Sequence, residues 1–541
     1  MKVLLTYLCN YEDRMDYHMS LMPVGVAAIG AFLEQKGHRV TIANFSKTGH
    51  RQAVKKIGDM APDIAGISVF THNRRESLKL VRALKKAHPR ILVVIGGPHA
   101  TFLADEILSR YPEIDYIIQG EGEEAFLRII NALEHDTPLL SKIVPQTPVG
   151  SLDTLPAPSG FSGPMIDVNI NEEFKYIITS RGCPHHCSFC CSPQFWQRKV
   201  RFRSPDRIMK EVESLYRKHG IIYFSIRDDN FTLKKERVLE FSRLLQKSGV
   251  YMMWNCQSRV DTIDGEMVRE MKRAGLEHIQ FGVESGSERI LAKYDKSITI
   301  EQIKKAAEVT RKAGAYLSIY LMTGMEGETA ADTKKTISLI KSILPGDGIV
   351  SPVALYPGTK LYEDEKKKGN VRDDIWFRNQ DPGIYLRGDS EVPRFMHDLL
   401  HQLRLIRERS WYREEDFRKH RAYMGKDCWV TGILEGDYYL DEEEYERAET
   451  SYLSVISMYP DNPWGHLRIG KLRFRNGNFP GSVESYTTVT TLVPAYYGGW
   501  LKLAESHIAA GDRSAAKHCI KEAYARNRFD IRIRNLRELL K

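Results

Sequence analysis

The chain has 541 residues, 42% hydrophobic and 28% charged, which is the composition of a folded globular protein with room for roughly three or four domains and excludes a disordered, collagenous or coiled-coil protein. Its net charge of +9, from 79 Lys+Arg against 70 Asp+Glu, permits an anionic ligand, but no basic block points to nucleic acid. No apolar run approaches the ~20 residues of a transmembrane segment, no signal peptide is evident, and eight cysteines in so long a chain make no disulfide scaffold, so a reducing, cytoplasmic setting is expected.

Residues 1–140 alternate strand and helix patterns. Strands are expected at Lys2 to Leu8, Arg39 to Ala43, Ile64 to Phe70, Ile91 to Ile95 and Asp115 to Ile118. This alternation predicts an α/β, Rossmann-like doubly wound domain, which binds ligands beyond the carboxyl ends of its strands. The turns Gly96-Gly97-Pro98 and Gly120-Glu121-Gly122-Glu123 fall there. They are site candidates, or simply tight turns. Residues 141–165, rich in Pro and Gly, read as a linker.

Residues 166–365 alternate again, with strands expected at Lys175–Thr179, Tyr223–Arg227, Tyr251–Cys256, His278–Val283 and Ala315–Met322. Such a series fits a partial (β/α) barrel, whose chemistry sits at the strand C-terminal ends. Arg181-Gly182-Cys183, Asp228-Asp229, Glu284-Ser285 and Gly324 fall at those ends. Residues 366–429 form a connecting segment with Trp376, Phe395, Trp411 and Tyr412. In residues 430–541 the pairs Pro460/Pro494, Gly477/Gly511 and Tyr452/Tyr486 each lie 34 apart. The period predicts all-α helical repeats, resembling tetratricopeptide repeats, with a possible protein partner on their surface.

Half of the cysteines lie between Cys183 and Cys191. The spacing Cys183-x3-Cys187-x2-Cys190 places three soft thiolates on one loop after a strand, which suits an iron–sulfur cluster with one iron left open. The alternative is zinc with His185 or His186. Cys191 directly follows Cys190, and adjacent side chains rarely face one centre.

This motif, with Phe189 before the last cysteine, resembles that of the radical S-adenosylmethionine enzymes. The resemblance implies a [4Fe–4S] cluster whose open iron binds S-adenosylmethionine, and a 5′-deoxyadenosyl radical that abstracts a substrate hydrogen. Further blocks, Arg201-x-Arg203-Ser204-Pro205, Asp228-Asp229-Asn230-Phe231-Thr232 and Gly282-Val283-Glu284-Ser285-Gly286, are similar to the subfamily with an N-terminal cobalamin-binding domain. After Gly324, Glu326 stands where that subfamily has Pro. The resemblance makes Phe189, Arg203, Asp228, Asp229, Glu284, Ser285 and Gly324 candidates for holding S-adenosylmethionine. Plainer readings are helix capping for Asp228 and Asp229 and a structural ion pair for Glu284.

By the same resemblance residues 1–140 form a cobalamin-binding domain, with Ser68, Gly96, Gly97, His99, Gly120 and Glu121 lining the cofactor. His18, in Asp16-Tyr17-His18-Met19-Ser20-Leu21, is the candidate cobalt ligand, although Leu21 replaces the Gly of the usual Asp-x-His-x-x-Gly. The resulting expectation is cobalamin-dependent methylation of an unactivated carbon, with no catalytic side chain assigned. The alternatives are a cobalamin-independent radical cyclisation, coupling or oxidation, and a repeat-based adaptor. The substrate is expected to be small, lipid or carrier-bound, and the electron donor a ferredoxin or flavodoxin. The repeats are expected to be an accessory module whose loss spares radical formation.

Overall fold

The computed structural model describes the whole chain except residues 10–16, 138, 379–383, 426 and 541. The N-terminal sheet contains β1 (Lys2–Tyr7), β2 (Arg39–Asn44), β3 (Ile64–Ser68), β4 (Leu92–Gly96), β5 (Tyr116–Ile118), β6 (Ile143–Val144) and β7 (Met165–Ile166). Their order is β6-β5-β4-β3-β1-β2-β7, parallel throughout. Helices cover both faces, so the strands read as unbroken apolar runs such as Val3-Leu4-Leu5 and Val93-Val94-Ile95, all at most 4% exposed. The winding reverses between β1 and β3, which opens a crevice above their carboxyl ends. The expected linker supplies β6 and leads into β7. Prolines at 145, 148 and 164 fit these short edge strands, where a missing N–H breaks no interior ladder.

The central domain contains β8 (Tyr176–Ile177), β9 (Ser180–Arg181), β10 (Arg201–Phe202), β11 (Tyr223–Ile226), β12 (Met253–Ser258), β13 (Leu276–Glu284), β14 (Tyr316–Thr323) and β15 (Asp347–Pro352). Six of these pair in parallel in the order β15-β14-β13-β12-β11-β8, which is a partial barrel. β9 and β10 form a small antiparallel ladder around the cysteine loop. β15 escapes the sequence reading because only Val350 in it is buried and it holds Gly348 and Pro352, which suits an edge strand but gives no clear alternation.

Alternation along the strands separates two faces. Phe224, Ile226, Trp254, Cys256, Ile279, Phe281, Ile319 and Leu321 point outward beneath the helices, each at most 1% exposed. Ser225, Arg227, Asn255, Gln257, His278, Gln280, Ser318 and Tyr320 occupy the intervening positions and make the lumen polar.

The C-terminal region is all helical. Helices Trp429–Asp441, Pro463–Arg475, Tyr497–Ala509 and Ile531–Leu539 each start 34 residues after the last, as do Tyr445–Met458, Phe479–Leu492 and Arg513–Arg526 between them. The array is not detached. Trp464 Nε1 donates to Tyr251 O (3.2 Å), and the Tyr251 ring meets Trp429 and Tyr459 at 6.1 and 5.8 Å. Tyr251 lies at the N-terminal end of β12, so the repeats close the barrel floor. One continuous apolar core runs through all three regions. The inner helices of the array thus pack on the barrel and share its core. No helix among the described residues is long and apolar enough to cross a membrane.

Candidate functional site

Cys183, Cys187 and Cys190 lie on the loop between β9 and β10. Gly182 starts it at φ +94°, where a Cβ would stand 2.2 Å from Lys199 O, so only glycine allows this entry. Behind it Asp228 uses both carboxylate oxygens on the chain itself. It accepts from Thr179 N (2.6 Å), Thr179 Oγ1 (2.5 Å), Ser180 N (3.0 Å) and Ser180 Oγ (2.7 Å), and Arg237 lies 3.4 Å away. Asp228 is thus a staple holding the strand that presents Cys183, neither a helix cap nor a free ligand. Ser188 N donates to Tyr294 O (3.1 Å) and Leu361 N donates to Ser188 O (2.9 Å), pinning the middle of the loop.

Burial pushes the Cys183 thiol up and the Cys190 thiol up to about 12. Arg259, after β12, brings Nη1 to 3.8 Å from Cys187 Sγ and is itself held by Asp261 at 2.9 Å. The sequence reading missed Arg259, and nothing local marks it. Among the described residues no three His, Cys, Asp or Glu side chains gather as for a single metal ion.

Glu284 ends β13 at φ +64°, a conformation that costs a non-glycine residue energy and is concentrated at functional sites. Its carboxylate pairs with Lys296 Nζ at 2.8 Å, and the same ammonium lies 5.9 Å from the Phe189 ring centre. Phe189 and Glu284 are therefore brought together through Lys296, a residue without a sequence signal. Ser285 turns away into a helix start, accepting from Ser287 N at 3.1 Å. Gly324, at φ +79°, donates its N–H to Glu328 Oε2 at 2.7 Å. Arg203 is not brought to the thiols. It lies 3.7 Å from Glu211 and donates to Pro156 O at 3.3 Å.

A cavity of about 380 Å³ lies where the N-terminal crevice meets the cysteine loop. Ser68, Gly96, Gly97, Gly120 and Glu121 line one side, and Cys191, Ser192, Phe195, Trp196 and Asp229 the other. Gly97 adopts φ +100°, and a Cβ there would press to 2.7 Å from Val69 O. Cys191 thus faces this cavity. Asp229 opens onto it and accepts from Ser192 Oγ at 2.7 Å; enclosure by the walls pushes its carboxyl up. His99 is elsewhere. It is buried against Trp376 with ring centres 5.7 Å apart, and burial lowers it to about 3. The exposed His18 bonds Tyr176 Oη through Nδ1 at 3.1 Å. Asp16, the first residue of its motif, lies outside the described residues. A larger cleft of about 780 Å³ sits at the barrel floor, at the end opposite the cysteines.

The two domains are locked by buried charges. Arg181 pairs with Glu123 (2.5 and 3.3 Å) and Glu121 (3.2 Å), and Arg201 pairs with Glu121. Glu121 is therefore a clamp as well as a cavity wall. The signal was present in sequence as Glu121-x-Glu123 against Arg181 and Arg201, but only the fold shows which arginines turn toward the acids.

These residues fit the groups that the resemblance implies. Three sulfur donors share one loop while the fourth cysteine faces away, which suits a cluster with an open iron. The crevice is apolar and glycine-walled at a topological switch point, which suits the tail of a large cofactor.

Comparison with known proteins agrees. Residues 177–340 match the radical SAM superfamily and residues 16–130 the B12 binding domain. An uncharacterized methyltransferase of Pyrococcus horikoshii is 29% identical over 357 residues, covering 63% of this chain and 78% of its own. The anaerobic magnesium-protoporphyrin IX monomethyl ester cyclase of Rubrivivax gelatinosus is 28% identical over 401 residues, covering 69% and 71%. The fold matches the radical S-adenosylmethionine methyltransferase TsrM of Kitasatospora setae, solved with cobalamin and a [4Fe–4S] cluster, with a TM-score of 0.60 at 15% identity, covering 83% of this chain and 98% of that one. The cofactors are accordingly a [4Fe–4S] cluster, S-adenosylmethionine and cobalamin. The chain thus joins a radical SAM domain, residues 177–340, to an N-terminal B12 binding domain, residues 16–130.

Proposed function

We propose that the protein is a cobalamin-dependent methyltransferase acting on an unactivated carbon of a small molecule held in the barrel lumen. One observation supports this reading: a single cavity is walled by both the B12 binding domain and the cysteine loop, so cofactors held by the two would meet across it. Similarity to the Pyrococcus methyltransferase supports it.

When bound, the cofactors supply the radical, by reduction of S-adenosylmethionine, and a methyl carrier in cobalamin. In this reading Cys183, Cys187 and Cys190 hold the cluster, and Phe189 and the strained Glu284 position S-adenosylmethionine. Ser68, Gly96, Gly97 and Gly120 seat cobalamin. Phe195 and Trp196 exclude water between the sites, which protects a radical from quenching. A low-potential donor such as a ferredoxin or flavodoxin supplies the electron.

The test is anaerobic reconstitution with iron, sulfide and cobalamin, followed by turnover with S-adenosylmethionine and a reductant. The reading expects both 5′-deoxyadenosine and S-adenosylhomocysteine, the second only when cobalamin is present. The similarity to a cyclase favours a second reading, radical chemistry without methyl transfer. Release of 5′-deoxyadenosine alone would favour that one.

A further inference from the structure

The barrel lumen holds a charge that the chain leaves unanswered. Arg227 follows β11 and stands level with Gln257 of β12 and Gln280 of β13, as the ladder registers Ile226↔Cys256 and Gln257↔Gln280 require. Its Nη1 donates to Gln280 Oε1 at 3.2 Å. Tyr320 Oη donates to the same oxygen at 2.9 Å and accepts from Gln257 Nε2 at 3.2 Å. The guanidinium also stacks over the Tyr176 ring, 5.1 Å from its centre.

Arg227 is half-buried, and among the described residues no carboxylate pairs with it. Its neighbour Asp228 faces the other way, held by Thr179 and Ser180. Glu277, lower in the lumen, is engaged by Tyr223 Oη at 2.7 Å. By contrast Arg181 and Arg201 at the domain joint and Arg259 after β12 all have carboxylate partners.

Withdrawing a guanidinium from water is unfavourable unless an anion answers it. This one is also pre-aimed. The contact with the Tyr176 ring and the bond to Gln280 hold it in place, while among the described residues its Nε and Nη2 groups donate to nothing. A fixed, planar fork of donors matches a carboxylate or phosphate, which it can grip through two parallel bonds. The amide and hydroxyl row of Gln257, Gln280 and Tyr320 beside it would receive polar groups next to that anion.

We propose that Arg227 is the specificity-determining residue of the lumen and that the substrate carries an oxyanion, a carboxylate or a phosphate, seated on its guanidinium. This rests on the reading that the lumen is the substrate site.

The test titrates the reconstituted holoenzyme, loaded with S-adenosylmethionine and cobalamin, with three probes of one shape: phenyl phosphate, benzoate and the neutral methyl benzoate. Calorimetry should show one or both anions binding at least about tenfold more tightly than the ester, the effect of one charge-assisted contact. The stronger of the two anions identifies the oxyanion. Arg227→Met should abolish the preference and Arg227→Lys should keep part of it. No preference in the wild type, or one that survives Arg227→Met, overturns the proposal. So does a loss of S-adenosylmethionine affinity beyond about tenfold in Arg227→Met, which would give the guanidinium to that cofactor instead. Because the readout is binding, an absence of methyl transfer would count against the methyltransferase reading alone.

Discussion

Arg181 grips Glu123 through two contacts, Nη2 to Oε1 at 2.5 Å and Nη1 to Oε2 at 3.3 Å, and thereby ties the turn after β5 to the residue two before Cys183. Both side chains are nearly buried, at 12% and 4% exposure. The turn after β5 and the cysteine loop are thus parts of one rigid joint.

Removing one partner of that joint leaves the other charge buried and alone. Glu123→Gln should lower the unfolding free energy by about 3 kcal/mol and reduce cobalamin retained after gel filtration. Arg181→Met added to it should cost much less than the sum of the two single changes. Burial opposes the Glu123 charge, but Arg181 holds the carboxyl below its usual range. Its contribution is therefore present above the unfolded Glu value of about 4.3 and is lost as pH falls through and below it. Denaturant titrations of both proteins at neutral and acid pH should converge at the acid end.

Asp228 holds the strand that leads into the cysteine loop. Asp228→Ala strands the donors of Thr179, Ser180 and Arg237, at a cost of about 3 kcal/mol, and should lower bound iron after reconstitution. Cys191→Ser, altering a residue of the cavity wall, should leave iron content at the wild-type level. Iron assays on the two variants side by side check both expectations.

Glu173 gives a pH dependence of opposite sign. It is 5% exposed, and burial pushes its carboxyl up to about 7, despite accepting from Asn169 N, Asn44 Nδ2 and Met22 N. The folded state holds this proton more tightly than the unfolded one, so stability is full below about 4.3 and falls as pH rises toward 7, by about 3 kcal/mol in all. Glu173→Gln should flatten that decline in melts between pH 5 and pH 8. An unchanged slope would show that another group titrates.

The parts of the molecule legible in sequence are those written locally. Apolar runs such as Val93-Val94-Ile95 and the tight spacing of Cys183, Cys187 and Cys190 need no knowledge of distant residues. The 34-residue period likewise fixes where the repeat helices start. What escaped depends on register and long-range pairing. Arg203 was expected at the cofactor, yet the ladder pairing Arg201 with Arg181 sends that pair to the acidic turn and leaves Arg203 with Glu211. His99 beside Gly97 reads as a cavity residue, but Trp376, hundreds of residues on, buries it. Arg259 and Lys296 stand alone in sequence and acquire roles only through Cys187 and Glu284.

The repeats are the floor of the barrel, so truncation should be felt there. A chain ending before Trp429 exposes Tyr251 and the apolar ends of the strands. It should aggregate or melt well below the full-length protein, and should not retain full radical activity. Trp464→Ala in the full chain, which removes a large ring and its bond to Tyr251 O, should cost about 3 kcal/mol while leaving the repeats helical by circular dichroism.

The most direct measurement for the whole account is the metal and corrin content of the anaerobically reconstituted protein, with its visible spectrum, in wild type and in the triple variant Cys183→Ala, Cys187→Ala, Cys190→Ala. The account expects about four irons per chain in the wild type and none bound as cluster in the variant. It expects about one cobalamin in both, because the crevice lies in the other domain. Iron retained by the triple variant, or a wild-type protein that takes up no corrin, would contradict it.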